Sequence, residues 1–225
     1  MTTTPTWARQ PHQARSQRTL DALLDAAEAL LAQRPYHAIA LAEIIADAGS
    51  SAGSFYARFA DKQALLHALH ERLAGRTVAM SDWLHAAAGR QLATGGGATD
   101  ANARAVARLV ISNIVRGHQR NRGVLRAVAI DSFRDPQFTA RALHVTVALR
   151  DAACAALRPF RGSRPPEQFD EAVAFALRMV LATLDQQLFV PPSAQEQLAS
   201  DDATLGAKLT DAFIRYLQLA PAAPS

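Results

Sequence analysis

The side chains best suited to chemistry in this sequence are small, hydroxyl-bearing and basic groups between Leu41 and Lys62. Four of them would share the outer face of one short helix: Ser51, Ala52, Ser54 and Arg58. Small residues let a helix approach base edges closely, and hydroxyls bond either bases or phosphates. The Tyr56 hydroxyl and the Lys62 ammonium could bond phosphate oxygens on either side of a groove, the latter at a helix start that also favours an anion. These residues predict non-covalent recognition of nucleic acid.

Groups that would support catalysis are not arranged for it. The seven histidines are scattered and form no H-E-x-x-H motif. His67, His70 and Glu71 could chelate a metal, but a solvated helix face is the favoured interpretation. Cys154, the single cysteine, lies in the Ala-rich run DAACAAL and is interpreted as a packing residue rather than a redox sensor. We therefore expect no enzyme activity, no cofactor and no metal.

The distribution of charge favours a few placed groups over a strongly basic domain. The formal net charge is +4, but residues 1–72 contain seven basic and seven acidic side chains. Arg9, Arg15 and Arg18 precede the first acid, Asp21. Such an arm suits phosphates, although a solvated tail would have the same composition. Residues 1–15 are therefore predicted to be a basic flexible arm.

The elements that must position these groups are helices. Apolar residues recur every three or four positions, which predicts helices over about 16–33, 41–48, 51–58 and 61–88. Their boundaries are signalled by N-caps at Ser16, at Ser50 or Ser51 and at Asp61, and by stops at Pro35 and Gly49. The second and third helices form a helix-turn-helix, the module that carries a helix into the major groove of DNA. Its inward aromatic residues are expected to pack on the first and fourth helices, Phe55 and Phe59 on Leu24, Ala27 and Leu66.

The rest of the chain also has helical periodicity. Beyond a glycine-rich break at 94–100, helices are predicted over about 101–119, 122–132, 135–157, 166–189 and 201–219. No period-two alternation of strand length occurs, so the expected fold class is all-α. No apolar run reaches the roughly 20 residues that span a membrane, and the N-terminus lacks the apolar core of a secretory signal. We expect a cytoplasmic protein with no membrane partner.

The sequence from about residue 16 to 70 resembles the DNA-binding domain of the tetracycline-repressor (TetR/AcrR) family of bacterial transcription regulators. The residues that carry the resemblance are Tyr36, Ile44, Ala48-Gly49, Ser51, Gly53, Phe55-Tyr56, Phe59, Lys62-Gln63 and Leu65. The resemblance implies groove or phosphate contacts, and the predicted DNA-binding set is Arg15, Arg18, Ser51, Ala52, Ser54, Phe55, Tyr56, Arg58 and Lys62. The chain departs from the pattern at the second helix, where Ile39-Ala40 stands in place of a Thr that would cap the helix and contact phosphate.

The resemblance also implies a homodimer and a small-molecule effector. The expected domains are a helix-turn-helix domain over 16–72 and a larger helical effector-binding and dimerisation domain over 73–225. The helices at 166–189 and 201–219 resemble the family's dimerisation pair, through Phe169, Val173, Leu177, Val180, Leu184, Leu209 and Phe213, although both helices could instead pack in the monomer core. Polar or aromatic residues set in apolar helices are the effector-binding candidates: Trp83, Arg116, His118, Asp131, Phe133, His144 and Arg178.

One run of arginines stands apart from these candidates. Six arginines and no acid occur between residues 101 and 130, in pairs four residues apart: 104/108, 116/120 and 122/126. A solvated basic surface, long-range attraction to DNA phosphate, and an anionic effector held by Arg116 or Arg126 would each account for them.

The function expected from the sequence is a DNA-binding transcriptional regulator, a repressor that binds a palindromic operator as a homodimer and leaves it when an effector binds. The fourth helix, shared by both domains, would act as the lever. An architectural DNA-binding protein without an effector is the alternative, and an all-helical enzyme or interaction protein is the third possibility.

Overall fold

The computed structural model describes residues 14–94, 99–190 and 202–219. Its α-helices are α1 (Ala14–Leu31), α2 (Leu41–Asp47), α3 (Ala52–Tyr56), α4 (Lys62–Thr94), α5 (Asp100–Arg120), α6 (Arg122–Asp131), α7 (Pro136–Leu157), α8 (Pro166–Phe189) and α9 (Asp202–Leu217). Two short 3₁₀ turns, Tyr36–Ala38 and Arg158–Phe160, precede α2 and α8. The described residues contain no β-strand, so the all-α prediction is confirmed.

Several predicted helix boundaries are confirmed by hydrogen bonds. The Ser51 hydroxyl accepts from the Ser54 amide at 3.1 Å, and Asp61 accepts from the Ala64 amide at 2.8 Å. Gly49 ends the second helix with φ +57°, a left-handed conformation that costs glycine little. Ser16 was the predicted N-cap of the first helix, but α1 begins at Ala14, which leaves Ser16 inside the helix.

The chain forms two compact units. The first, here called the head, comprises residues up to Gly75 together with Asn121–Ala142, and the second, the body, comprises Arg76–Arg120 and Leu143 onwards. Both α4 and α7 contribute residues to each unit.

The head differs from the contiguous domain 16–72 expected from the sequence, because α6 and the start of α7 complete its core. Val124, Ala127 and Val128 of α6 and Phe138 of α7 are buried in one cluster with the side chains of α1 to α4. A glycine allows α6 to approach α1 this closely: a Cβ added at Gly123 would lie 2.2 Å from the Leu31 carbonyl oxygen.

The body has its own core, to which α5, α7, α8 and α9 contribute. Its fully buried aromatic residues are Phe160, Phe169 and Phe213. Cys154 belongs to this core, and burial raises the pKa of its thiol to about 11, which agrees with a packing role.

The helix α8 corrects the expectation about apolar run length. By length and composition alone, α8 could cross a membrane. Seven of its side chains, including Phe169, Val173 and Leu177, are buried within the body. That burial on one face is the environment of a core helix.

Candidate nucleic-acid interface

The α2–α3 turn fixes the start of the recognition helix. The Gly49 amide donates to the Ala46 carbonyl at 2.9 Å and the Ser50 amide donates to the Ile45 carbonyl at 3.0 Å, closing α2. Ser51 then caps α3, and its hydroxyl also lies 3.0 Å from that of Ser54. The two hydroxyls are therefore held together by the cap.

Residues Gly49–Gly53 also match the pattern G-x-S-x-G, with Ser51 at the serine position. In hydrolases this pattern forms the nucleophile elbow. That elbow needs a strand before the serine and a helix after it. Here the segment joins two helices, and the Ser51 hydroxyl is engaged in capping α3. The context supports a helix-turn-helix rather than an elbow.

The two aromatic residues after Gly53 have opposite environments. Phe55 is fully buried and its ring centroid lies 5.3 Å from that of Phe59, in one core with Leu24, Ala27 and Leu66. This packing was predicted from the four-residue spacing and is confirmed. Tyr56 is 57% exposed, and Ser51, Ala52 and Gly53 are exposed with it. The outer face of α3 thus presents small residues and one phenol.

The burial of Phe55 corrects one predicted contact. Its side chain is 0% exposed and anchors α3 to the head, so it cannot touch DNA. The predicted DNA-binding set included both Phe55 and Tyr56, whereas the helical turn sends only Tyr56 outward.

Arg58 is a support for α3 rather than an outward-facing contact. Its guanidinium donates to the Ser54 carbonyl at 2.7 Å and to the carbonyl and hydroxyl oxygens of Ser16 at 3.2 and 3.1 Å. Because its guanidinium bonds both Ser54 of α3 and Ser16 of α1, Arg58 ties α3 to α1. Ser16 lies 42 residues away, and the local sequence pattern gave no signal of this bond.

Lys62 is likewise turned into the head. Its ammonium donates to the Tyr36 carbonyl and to the Ile39 carbonyl, the latter at 2.6 Å, and lies 4.2 Å from the centroid of the Tyr36 ring. In return, the Tyr36 hydroxyl donates to the Lys62 carbonyl. Desolvation lowers the pKa of Lys62, an effect that the Glu43 carboxylate opposes. These bonds join the turn before α2 to the start of α4 and engage the ammonium that was expected to contact phosphate.

The missing Thr at the start of α2 has a substitute that sequence reasoning overlooked. The Glu43 carboxylate accepts from the Ala40 amide at 2.7 Å and from Arg34 at 2.9 Å. These bonds, that of the Ala40 amide first, lower the pKa of Glu43. A Glu three residues after the cap position is half of a capping box, and that spacing was the available signal.

A concave groove lies beside the exposed face of α3. It has a volume of about 490 Å³ and is lined by residues of α1 and of the α2–α3 turn, which include Arg18, Thr19, Ser50, Ser51 and Ser54. Arg18 is exposed at its edge. The groove combines a cation with hydroxyl groups, the set that binds phosphate oxygens. Residues 1–13 of the predicted arm lie outside the described residues, as does the Arg15 side chain, and the last two residues of the arm begin α1.

The family model described as "Bacterial regulatory proteins, tetR family" matches residues 23–69. Over these residues the chain is similar to the tetR family of bacterial regulatory proteins. The match ends within the first turns of α4, so it covers most of the contiguous part of the head. A search of curated proteins finds no match.

Solved structures of regulators share the fold along most of the chain. A putative TetR-family transcriptional regulator from Mesorhizobium loti MAFF303099 aligns with a TM-score of 0.69 at 16% identity, covering 92% of this chain and 98% of that one. A transcriptional regulator from Cytophaga hutchinsonii ATCC 33406 aligns with a TM-score of 0.63 at 15% identity over 88% and 96%. The fatty acid degradation regulator FadR from Bacillus halodurans aligns with a TM-score of 0.54 at 17% identity over 92% and 97%.

The predicted effector-binding residues do not converge on one site among the described residues. Asp131 and Phe133 belong to the head, and Phe133 is 94% exposed, which is incompatible with lining a pocket. In the body, Trp83, His144 and Arg178 are exposed. His118 is buried and its Nε2 lies 3.1 Å from an Asp185 carboxylate oxygen. Arg116 alone among the seven lines a described groove, one between α5 and α9.

The predicted dimerisation residues are also corrected. Six of the seven are at most 3% exposed in the body core, namely Phe169, Val173, Leu177, Val180, Leu184 and Phe213, and Leu209 packs against that core. Core packing, the alternative that the sequence left open, is what the structure shows for them. The opposite face of the same helices exposes Phe175 and Met179 on α8 and Tyr216 on α9, with the Phe175 and Tyr216 rings 5.5 Å apart.

His67 and His70 are not on a solvated face. They are 5% and 3% exposed, and Phe138 of α7 stacks on His67 at 4.2 Å between centroids. His67 Nε2 lies 2.8 Å from an Asp135 oxygen, and Arg141 lies 3.2 Å from His70 Nδ1. Over the described part of the chain, no group of three or more His, Cys, Asp or Glu residues could hold a metal. The periodicity of α4 alone could not reveal this packing, because its partners come from α7.

Proposed function

We propose that the protein is a transcriptional regulator that inserts α3 into the major groove of an operator. The observation that carries the proposal is the two-sided construction of α3. Phe55 and Arg58 hold it from the inside, while Ser51, Ala52 and Tyr56 are left on its outer surface. A short helix held this firmly, with only small and hydroxyl side chains outward, suits close approach to base edges.

The contacts divide by role. Ser51, Ala52 and Tyr56 would face the major groove of the DNA or its walls, and Arg18 would take a phosphate in the concave groove beside α3. Arg58 and Lys62 act indirectly, by holding the helix. Phosphate contacts position the protein and base contacts specify the sequence, so the two groups should respond differently to mutation.

Two-fold association is part of the proposal. The exposed Phe175, Met179 and Tyr216 form an apolar surface across α8 and α9, the kind of surface that a second copy would cover. A two-fold dimer presents two recognition helices to successive major grooves, which requires a palindromic operator. We propose repression as the mode, relieved when a small molecule binds the body and favours a geometry with lower operator affinity.

A salt-titrated binding assay on DNA upstream of the protein's own gene tests this function. Tyr56→Phe should weaken binding about fivefold, the effect of losing one hydrogen bond. Arg18→Gln should weaken binding to all sequences and reduce the salt slope by about one. Arg161→Gln, at an exposed arginine of the body, is the matched control for Arg18→Gln and should leave affinity and salt slope unchanged. If Tyr56→Phe and Arg18→Gln both kept the unmodified affinity and salt slope, the assignment of this surface would be refuted.

An architectural DNA-binding protein without an effector is the second candidate, and the filled apolar core of the body favours it. The two functions differ in ligand response. Stabilisation of the full-length protein by a small molecule that also lowers operator affinity would exclude the architectural function.

A further inference from the structure

A groove of about 840 Å³ runs between α5 and α9 in the body. Its lining residues include Arg108, Ser112 and Arg116 of α5 and Gly206, Asp211 and Ile214 of α9. Its volume lies in the range of small-molecule sites. The groove is therefore large enough for an effector, and its two walls differ in chemistry.

The α5 wall carries positive charge without a counter-charge. Arg108 and Arg116 are both exposed and lie two turns apart, about 12 Å along the helix axis. Within residues 14–94, 99–190 and 202–219, no carboxylate forms an ion pair with either. Arg116 reaches back over its own helix, with its guanidinium 3.4 Å from the Ser112 hydroxyl and 3.3 Å from the Asn113 amide oxygen. The Ser112 hydroxyl donates to the Leu109 carbonyl at 3.3 Å, so an anion above Ser112 would meet the Arg116 guanidinium and gain the hydroxyl if it rotated.

The acid across the groove does not cancel this charge. The Asp211 carboxylate lies 2.8 Å from Arg215 on its own helix, in an exposed i,i+4 pair. Arg108 and Arg116 therefore dominate the electrostatics of the groove.

Part of the groove is apolar. A Cβ at Gly206 would lie 3.3 Å from Val115 Cγ1, so the two helices approach closely there. Leu109 and Ile214 also line the groove, together with the small residues Ala105 and Ala207. A ligand would find apolar surface beside its anion site.

The groove is separate from the proposed dimer surface. Tyr216 lies on the side of α9 that meets α8, as its contact with Phe175 shows, whereas Asp211 and Ile214 face α5. A second copy on α8 and α9 would leave the α5 side of α9 open.

We propose that the α5–α9 groove is the effector site and that it takes a small amphipathic carboxylate. Arg116 and Ser112 hold the carboxylate, Arg108 adds attraction, and Leu109 and Ile214 contact the apolar chain. Charge-assisted hydrogen bonds to a guanidinium recognise the acid, and the apolar part of the groove disfavours strongly hydrated, multiply charged ligands. The assignment rests on the proposed effector response, but the site can be tested without DNA.

Titration calorimetry of the full-length protein with decanoate tests the site, with decanol and acetate as probes of the two ligand features. Decanoate should bind, and decanol and acetate should each bind at least tenfold more weakly. Arg116→Gln should weaken decanoate binding about ten- to a hundredfold. Arg104→Gln is the matched control, an exposed α5 arginine one turn from Arg108 but outside the groove, and should change binding less than twofold.

Three results would overturn the site. One is binding of decanoate and decanol with equal affinity, and the other is an Arg116→Gln variant that binds decanoate like the unmodified protein. Absence of any decanoate binding would also do so. Operator affinity measured without ligand separates this proposal from the function: if it persists while decanoate fails to bind, only the groove assignment is lost, and if operator binding fails, the regulator function fails instead.

Discussion

The head and the body use their apolar and polar residues in opposite ways. In the head, polar side chains turn inward as ties: Arg58 bonds Ser16, Lys62 bonds the Tyr36 and Ile39 carbonyls, and two histidines are buried against Phe138. In the body, apolar side chains fill the core and others remain on the surface of α8 and α9. Directional hydrogen bonds hold a short helix in one orientation, as the proposed role of the head requires. An exposed apolar surface allows association with a second copy, as the proposed role of the body requires.

The same comparison explains which predicted contacts were wrong. In the head, the residues predicted to contact DNA included Phe55 and Arg58, which instead hold α3 in place. In the body, the residues predicted to form the dimer interface are apolar side chains that instead fill the core. The outward residues are the complementary set: Ser51, Ala52 and Tyr56 in the head, and Phe175, Met179 and Tyr216 in the body. A strong apolar stripe thus marks a core, and the interface must be sought on the other face of the same helix.

Removing the anchor of α3 should have the largest effect. Phe55→Ala should lower the free energy of unfolding by about 3–5 kcal/mol, because a fully buried ring is lost from the head core. Its neighbour Tyr56, changed to Ala, should cost less than about 1 kcal/mol, as expected for an exposed position. Urea unfolding of both variants measures the contrast, and equal losses would remove the two-sided description of α3.

Acid should destabilise the head through His70. Desolvation first, and then Arg141 and His67, lower its pKa to about 4, while Asp135 and Glu71 are the acids near Arg141. A folded pKa below the unfolded value of about 6.5 means that stability is fully present above pH 6.5 and is lost as pH falls towards 4. Between pH 7 and pH 5 the loss should be on the order of 2 kcal/mol.

Unfolding experiments at the two pH values check this effect in the full-length protein. His70→Met should flatten the difference, and His37→Met, at an exposed position of the same head, should keep it. A pH dependence that survives in His70→Met would place the titrating group elsewhere and weaken the view that buried polar groups distinguish the head.

The body should respond instead to a charge on its exposed apolar surface. Phe175→Glu should weaken self-association about ten- to a hundredfold, because a carboxylate would be buried against apolar groups. Leu143→Glu, at a 63% exposed position on α7, is the matched control and should leave association unchanged. Sedimentation equilibrium gives both values, and dissociation by the control rather than by Phe175→Glu would place the dimer surface elsewhere.

The smallest effect is expected from the cap of the recognition helix. Ser51→Ala removes the acceptor of the Ser54 amide and should cost about 1 kcal/mol of stability. It should also lower operator affinity, whereas Asp61→Ala, which removes the cap of α4, should lower stability alone. Stability and operator affinity measured on both variants test this difference, and equal effects of the two substitutions on operator binding would contradict a direct role for Ser51.

The sequence predicted what depends on neighbouring residues and missed what depends on distant ones. The caps at Ser51 and Asp61, the left-handed Gly49 and the packing of Phe55 on Phe59 follow from spacings of at most four residues. The bond from Arg58 to Ser16, the stacking of Phe138 on His67 and the place of α6 in the head join residues 42 or more positions apart. For α8 and α9, periodicity identified the apolar face correctly but could not say whether this chain or a second copy covers it.

The reciprocal bonds between Tyr36 and Lys62 have a practical consequence for redesign. They clamp the segment that carries α2 and α3 at its two ends, outside the stretch from Ser50 to Tyr56. The outward residues of that stretch could therefore be exchanged for those of another regulator while Tyr36, Lys62 and Phe55 are kept. The exchanged protein should then bind the operator of that other regulator. A few exposed residues of the head would then determine which DNA sequence the protein binds.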